Sequence, residues 1–180
     1  MNLRTLAGLG CSLVLLLPTV ASAADGPPQN PRKLTIADYF VRLPAGTLEA
    51  PAKDWLPLAR VDTANGYLSC EADGAQPRFV VVLFRFSDGR PLLALGEAEL
   101  EGKPNLLYIR FFEEAADGSM RSARHLALPK RDGKPAFENG DQRYYFELPR
   151  RGRTILVRDA KSNSVRQKLT WTGEKFEASE

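Results

Sequence analysis

Large apolar side chains occupy both odd and even positions in two runs of the chain, 79–86 and 106–112, whereas most later runs alternate apolar with polar. Successive side chains of an extended strand point to opposite faces, so a run apolar at every position predicts a strand covered on both sides. Both runs are therefore read as central strands of the core. Between them, Ser87-Asp88-Gly89-Arg90 predicts a hairpin turn. Glycine tolerates the positive φ of a tight turn, and aspartate can bond its local backbone.

The alternating runs read as peripheral strands with one wet face. In 142–148, Tyr144, Phe146 and Leu148 point one way and Arg143, Tyr145 and Glu147 the other. In 165–171, Val165, Leu169 and Trp171 share a face opposite Arg166, Lys168 and Thr170. Ten turn signals punctuate the chain from Asn65-Gly66 to Gly173, with no helical pattern between them. The fold class expected is all-β: an antiparallel meander closing into a sandwich or barrel, with a short N-terminal α-helix. That helix is expected over 35–43, where Thr35 and Asp38 resemble a capping box and Ile36, Phe40 and Leu43 fall at helical spacing before Pro44 and Gly46 stop it. A second element around Asp54, Trp55 and Leu56 is broken by Pro57 and read as a turn with Trp55 and Leu58 tucked inward. Tyr39 and Phe40 read as core contacts.

The first residues read as an address rather than as structure. Arg4 precedes an uncharged apolar run over 6–20, and Ala21-Ser22-Ala23 has the small residues a signal peptidase accepts. Cleavage after Ala23 is expected. A membrane anchor would need about 20 apolar residues, and Pro18 interrupts this shorter run. Cys11 after Gly10 suggests a lipid-modified cysteine, but Leu9 is one place away from the usual leucine position and the longest apolar run follows the cysteine. Residues 24–33, with three prolines, read as a flexible leader, and 34–180 as a single β-rich domain. Localisation is expected to be periplasmic or extracellular, with no transmembrane segment after cleavage.

The formal charge of +3 falls to +2 once Arg4 is removed, a balance too near neutral to recruit a partner by itself. Cys70 is the one thiol left, so no disulfide forms within the mature chain. It reads as a small buried hydrophobe, with a bridge to another chain as the sharper alternative. The single histidine, His125, rules out a two-histidine zinc site. There is no G-x-S-x-G elbow and no phosphate-cradling glycine loop. Each Asp-Gly pair stands nearly alone, unlike a calcium loop. No metal and no cofactor is therefore expected.

Three sets of residues remain as candidates. Cys70 with His125 would make a nucleophile and base only if the fold brought them together. Glu97, Glu99 and Glu101 alternate along one strand, with no aromatic residue among them on that face; a solvated stripe paired with a basic neighbouring strand is the expectation. The third set follows from a change of sign along the chain. Six acidic residues face two basic ones over 97–117, against eight basic and two acidic over 143–168. Arg150, Arg151 and Arg153 fall at a hairpin tip, interleaved with Tyr144 and Tyr145, and guanidinium groups there could meet a carboxylate or phosphate bidentately. These five residues form the candidate binding site. The fitting partner is an envelope protein or an anionic cell-wall component, not nucleic acid. The expected function is an exported binding or inhibitory module rather than an enzyme. The alternatives are a small hydrolase using carboxylates or Cys70, and an envelope-assembly component that adds a strand to a partner at a sheet edge near 171–177.

Overall fold

A computed structural model describes residues 32–71, 78–98, 105–126, 128, 130–131, 134–135 and 139–179. The chain divides into units 1–32 and 33–180. The expected signal peptide and nearly all of the expected leader lie outside the described residues. So do Glu99, Glu101 and the turns expected at Asp73-Gly74, 102–104 and Asp132-Gly133.

The domain opens with α1, Ile36–Phe40, capped as the sequence predicts: Asp38 N donates to Thr35 Oγ1 and Thr35 N donates back to Asp38 Oδ2 at 2.7 Å. The helix is shorter than expected, and residues 41–43 leave it as a turn. A second helix, α2, Ala52–Trp55, runs into a 3₁₀ turn over Leu56–Leu58 that accommodates Pro57. Trp55 is buried, but Leu58 is 60% exposed, against expectation. The chain there leads into the strand at one end of the sheet, where Val61 is exposed as well.

Twelve strands follow among the described residues: β1 Arg60–Asp62, β2 Tyr67–Cys70, β3 Phe79–Arg85, β4 Pro91–Ala98, β5 Leu106–Glu114, β6 Met120–Ser122, β7 Lys130–Arg131, β8 Lys134–Pro135, β9 Tyr144–Glu147, β10 Thr154–Asp159, β11 Val165–Trp171 and β12 Phe176–Ser179. Ten of them make one antiparallel sheet in the order β1-β2-β3-β4-β5-β9-β10-β11-β12, with β6 also paired to β5. The pair β7-β8 stands separately. The ladder is open, with β1 and β12 as its ends, where closure into a sandwich or barrel was expected.

The sheet nevertheless curls over itself. Trp171 and Phe176, on β11 and β12, pack their rings on Phe84 of β3 although these strands are not ladder neighbours. Trp171 Nε1 donates to Arg85 O at 2.7 Å, and Ser87 N to Gly173 O at 3.0 Å. Inside the curl lies an apolar layer of Val80, Val82, Phe84, Ile109, Phe111 and the inward residues of β9–β12. On the outer face of the same central strands, Phe79, Val81, Leu93, Leu95 and Phe112 pack under α1 and Trp55. Both expected central strands are thus covered on both sides. The wet faces of β9–β12 also follow the sequence, with one correction. Val165 is 39% exposed rather than inward, because the β10-β11 register shifts at Val157/Arg158 and carries the start of β11 off the core.

Candidate functional site

The outer face of β3–β5 is covered along most of its length and opens at one end. A bulge causes this. Glu97 pairs with Tyr108 but Ala98 pairs with Leu106, so Leu107 is an extra residue and the faces of β5 exchange across it. Leu106 joins the inner layer, while Tyr108 and Arg110 join the outer face beside Glu97. The cover above them is the 46–49 loop and Trp55, which stands edge-on to Phe79 at 5.6 Å with its Nε1 donating to Ala50 O. Between loop and sheet lies a cleft of about 580 Å³.

Polar groups converge inside this cleft. Arg110 binds Glu97 Oε2 through Nη2 at 2.6 Å and Nε at 2.8 Å, and Nη2 also donates to Thr47 O. Burial raises the Glu97 carboxyl above its ordinary range, against the pull of Arg110. Glu49 lines the mouth and is exposed, as is part of the Tyr108 ring. Asn139 closes one side. Its amide acts as a strand partner for Ile109, accepting from Ile109 N at 3.0 Å and donating to Ile109 O at 3.1 Å. Gly140 follows in the left-handed region at φ 82°, and a Cβ there would sit 3.0 Å from the Tyr108 ring and hydroxyl. The expectation of a solvated carboxylate stripe is therefore corrected at Glu97, which is half-buried, while its ion pair with Arg110 on the neighbouring strand is as expected. The aromatic neighbours missing from its own strand come from β3 and β5.

A second cleft, about 710 Å³, starts at Gln142, three residues after Asn139 of the first, and holds Leu107, Arg143 and Tyr144 against Lys161 and Arg166. Its carboxylate is saturated. Asp159 accepts from Ser162 N at 2.8 Å, Lys161 N at 3.0 Å, and the Nη2 and Nε of Arg166 at 2.7 and 3.1 Å. These donors, the Ser162 amide first, hold the Asp159 carboxyl far below its usual range. Arg143 is likewise held by Asp141 at 2.7 Å, which lowers the Asp141 pKa.

The residues singled out from the sequence are dispersed. Arg150, Arg151 and Arg153 stand exposed at the β9-β10 tip. Arg150 reaches Asp62 at 2.9 Å and stacks its guanidinium 5.9 Å over Tyr67, so its aromatic neighbour is on β2. Asn65 and Arg150 together lower the Asp62 pKa. Tyr144 and Tyr145 lie toward the other end of β9; Tyr144 lines the second cleft, and the Tyr145 hydroxyl donates to Asn163 Oδ1. The fold does not gather the five residues into one surface.

Cys70 is buried and level with Phe79 and Glu97 in the ladder, whereas His125 approaches Glu113, which is level with Leu92 and Phe84. Five residues of strand separate those levels, about 17 Å, so Cys70 and His125 do not form a dyad. His125 is solvated as expected but lies in a turn after β6 rather than on a strand edge. Among the described residues, no three His, Cys, Asp or Glu side chains gather as a metal site.

Tyr108 and Arg110 were not singled out from the sequence, in which Trp55 reads only as a side chain tucked inward. A signal for one of them was present, since Arg110 interrupts the apolar run 106–112 and a charge within a covered strand needs a partner. Nothing in the sequence located that partner, because the register of β4 and β5 sets Arg110 opposite Leu95 and so diagonal to Glu97 on the same face. Set against known protein families, curated proteins and solved structures, the chain matches none of them.

Proposed function

We propose that this domain is an exported, non-enzymatic binding module for a component of the cell envelope, and that the cleft over Phe79 holds the ligand. The observation that carries this reading is the convergence there of an aromatic floor, the exposed Tyr108 ring and one clamped carboxylate from separate segments of the chain. An apolar recess with a few fixed polar groups is the usual form of a small-ligand site. Binding is favoured over hydrolysis because Glu97, the half-buried carboxylate of the cleft, is already engaged by Arg110 through Nε and Nη2. Glu49, the other carboxylate at this cleft, stands exposed on a loop.

The test is retention of soluble fragments from digested envelopes by the purified full chain, compared with Tyr108→Ala. A discrete fragment retained by the wild type and lost from the variant supports the reading. Equal retention by both forms removes the ligand from this cleft. Absence of any retained fragment contradicts the module itself.

A further inference from the structure

We infer that the ligand of the outer cleft is a short dipolar peptide, about three residues long, lying across the 139–141 segment with its amine in the outer cleft and its carboxylate in the second. This rests on the reading of the outer cleft as a ligand site. The two clefts carry opposite charge. The outer one sets Glu49 and Glu97 against Arg110, whose guanidinium already serves Glu97 and Thr47 O. An ammonium entering it meets a net negative charge and the exposed face of Tyr108, and a cation over an aromatic face is attracted by the ring quadrupole.

The second cleft sets Arg143, Lys161 and Arg166 against Asp159, with Asp141 on its flank, leaving one net positive charge. Asp159 engages Arg166 through Nε and Nη2, and neither Arg166 Nη1 nor Lys161 Nζ meets a partner among the described residues. These donors fit a carboxylate. The linings of the two clefts come within reach of such a ligand: Asn139 belongs to one and Gln142 to the other, and three residue steps keep their backbones within about 10 Å, no more than the length of an extended tripeptide. A purely anionic ligand would meet Glu49 and Glu97, and a purely cationic one the three basic side chains. A ligand with both ends charged satisfies both clefts.

The probe is trialanine, titrated into the ¹⁵N-labelled full chain beside N-acetyl-trialanine and trialanine amide. Trialanine is expected to move the backbone amide signals of Tyr108 and Lys161 along one saturation curve. Blocking either end is expected to weaken binding at least tenfold. Lys161→Ala, an exposed turn residue remote from the core, should bring trialanine down to the affinity of its amide and leave the amide unchanged. Equal affinity for all three peptides overturns the inference. If only the Tyr108 region responds, the span is overturned while the outer cleft stands as a site. If no peptide moves either region, the inference fails and envelope-fragment retention alone decides the reading beneath it.

Discussion

The two faces of β3–β5 are both built largely from apolar sequence and end differently. The inner face is sealed by the sheet's own later strands, whose rings from Trp171 and Phe176 close on Phe84 and leave Trp171 and Leu92 without exposure. The outer face is covered by one short helix, one tryptophan and a loop, and this cover stops before the strands do. Where it stops, the sheet presents Glu97, Tyr108 and Arg110 instead of aliphatic residues. A covered face excludes chemistry, whereas an incompletely covered one provides a recess with a rigid floor. The difference between a core and a cleft here is the length of the covering segment.

The largest effect that sharpens this contrast is expected at Trp171. Removing a wholly buried indole and its bond to Arg85 O should cost about 3–5 kcal/mol, read as a loss of urea stability with no residual inner-face protection in hydrogen exchange. Thr35→Ala should cost about 1 kcal/mol by uncapping α1, and should speed exchange in α1 while β10 and β11 keep their protection. Collapse of both layers together in Thr35→Ala would break the comparison, since it would make them one cooperative unit.

A smaller effect is expected from pH at Glu97. Its folded pKa is raised above the ordinary value of 4.5, so the native state takes up the proton first, and stability rises as pH falls through the folded value, the gain being complete below 4.5. Asp62 has the opposite sign. Its folded pKa is lowered, so its contribution is present above the ordinary value of 3.8 and is lost as pH falls through the folded one. Urea melts of wild type and Glu97→Gln at pH about 7 and about 4.5 should show the wild type gaining on the variant at the lower pH. A constant difference would mean that the Glu97 carboxyl is not desolvated.

Much of the fold was legible because it rests on local pattern. The both-sided runs at 79–86 and 106–112, the Thr35/Asp38 cap, and the inward residues Phe146, Leu169 and Trp171 follow from period and turn chemistry alone. The open ladder was not legible, because whether β12 meets β1 depends on curl accumulated over the whole sheet. The site was less legible than the fold. Arg150, Arg151 and Arg153 attract attention as a run of charge, yet neighbours in sequence at a hairpin tip remain solvated. The residues that do converge, Trp55, Glu97, Tyr108 and Arg110, are far apart in sequence, and a bulge at Leu107 sets which face two of them join. In a run apolar on both faces, such as 106–112, a one-residue shift leaves no mark in the hydrophobic pattern.

The most direct test uses the chain's two tryptophans, one on each face. Trp171→Phe leaves Trp55 in the outer cleft as the sole indole emitter, and Trp55→Phe leaves Trp171 in the sealed interior. Titrated with the envelope fragment that the wild-type chain retains, the Trp55 emitter should change in intensity and wavelength along a saturating curve, and the Trp171 emitter should stay constant. A response from Trp171, or a silent Trp55 while the fragment is bound, would contradict the account.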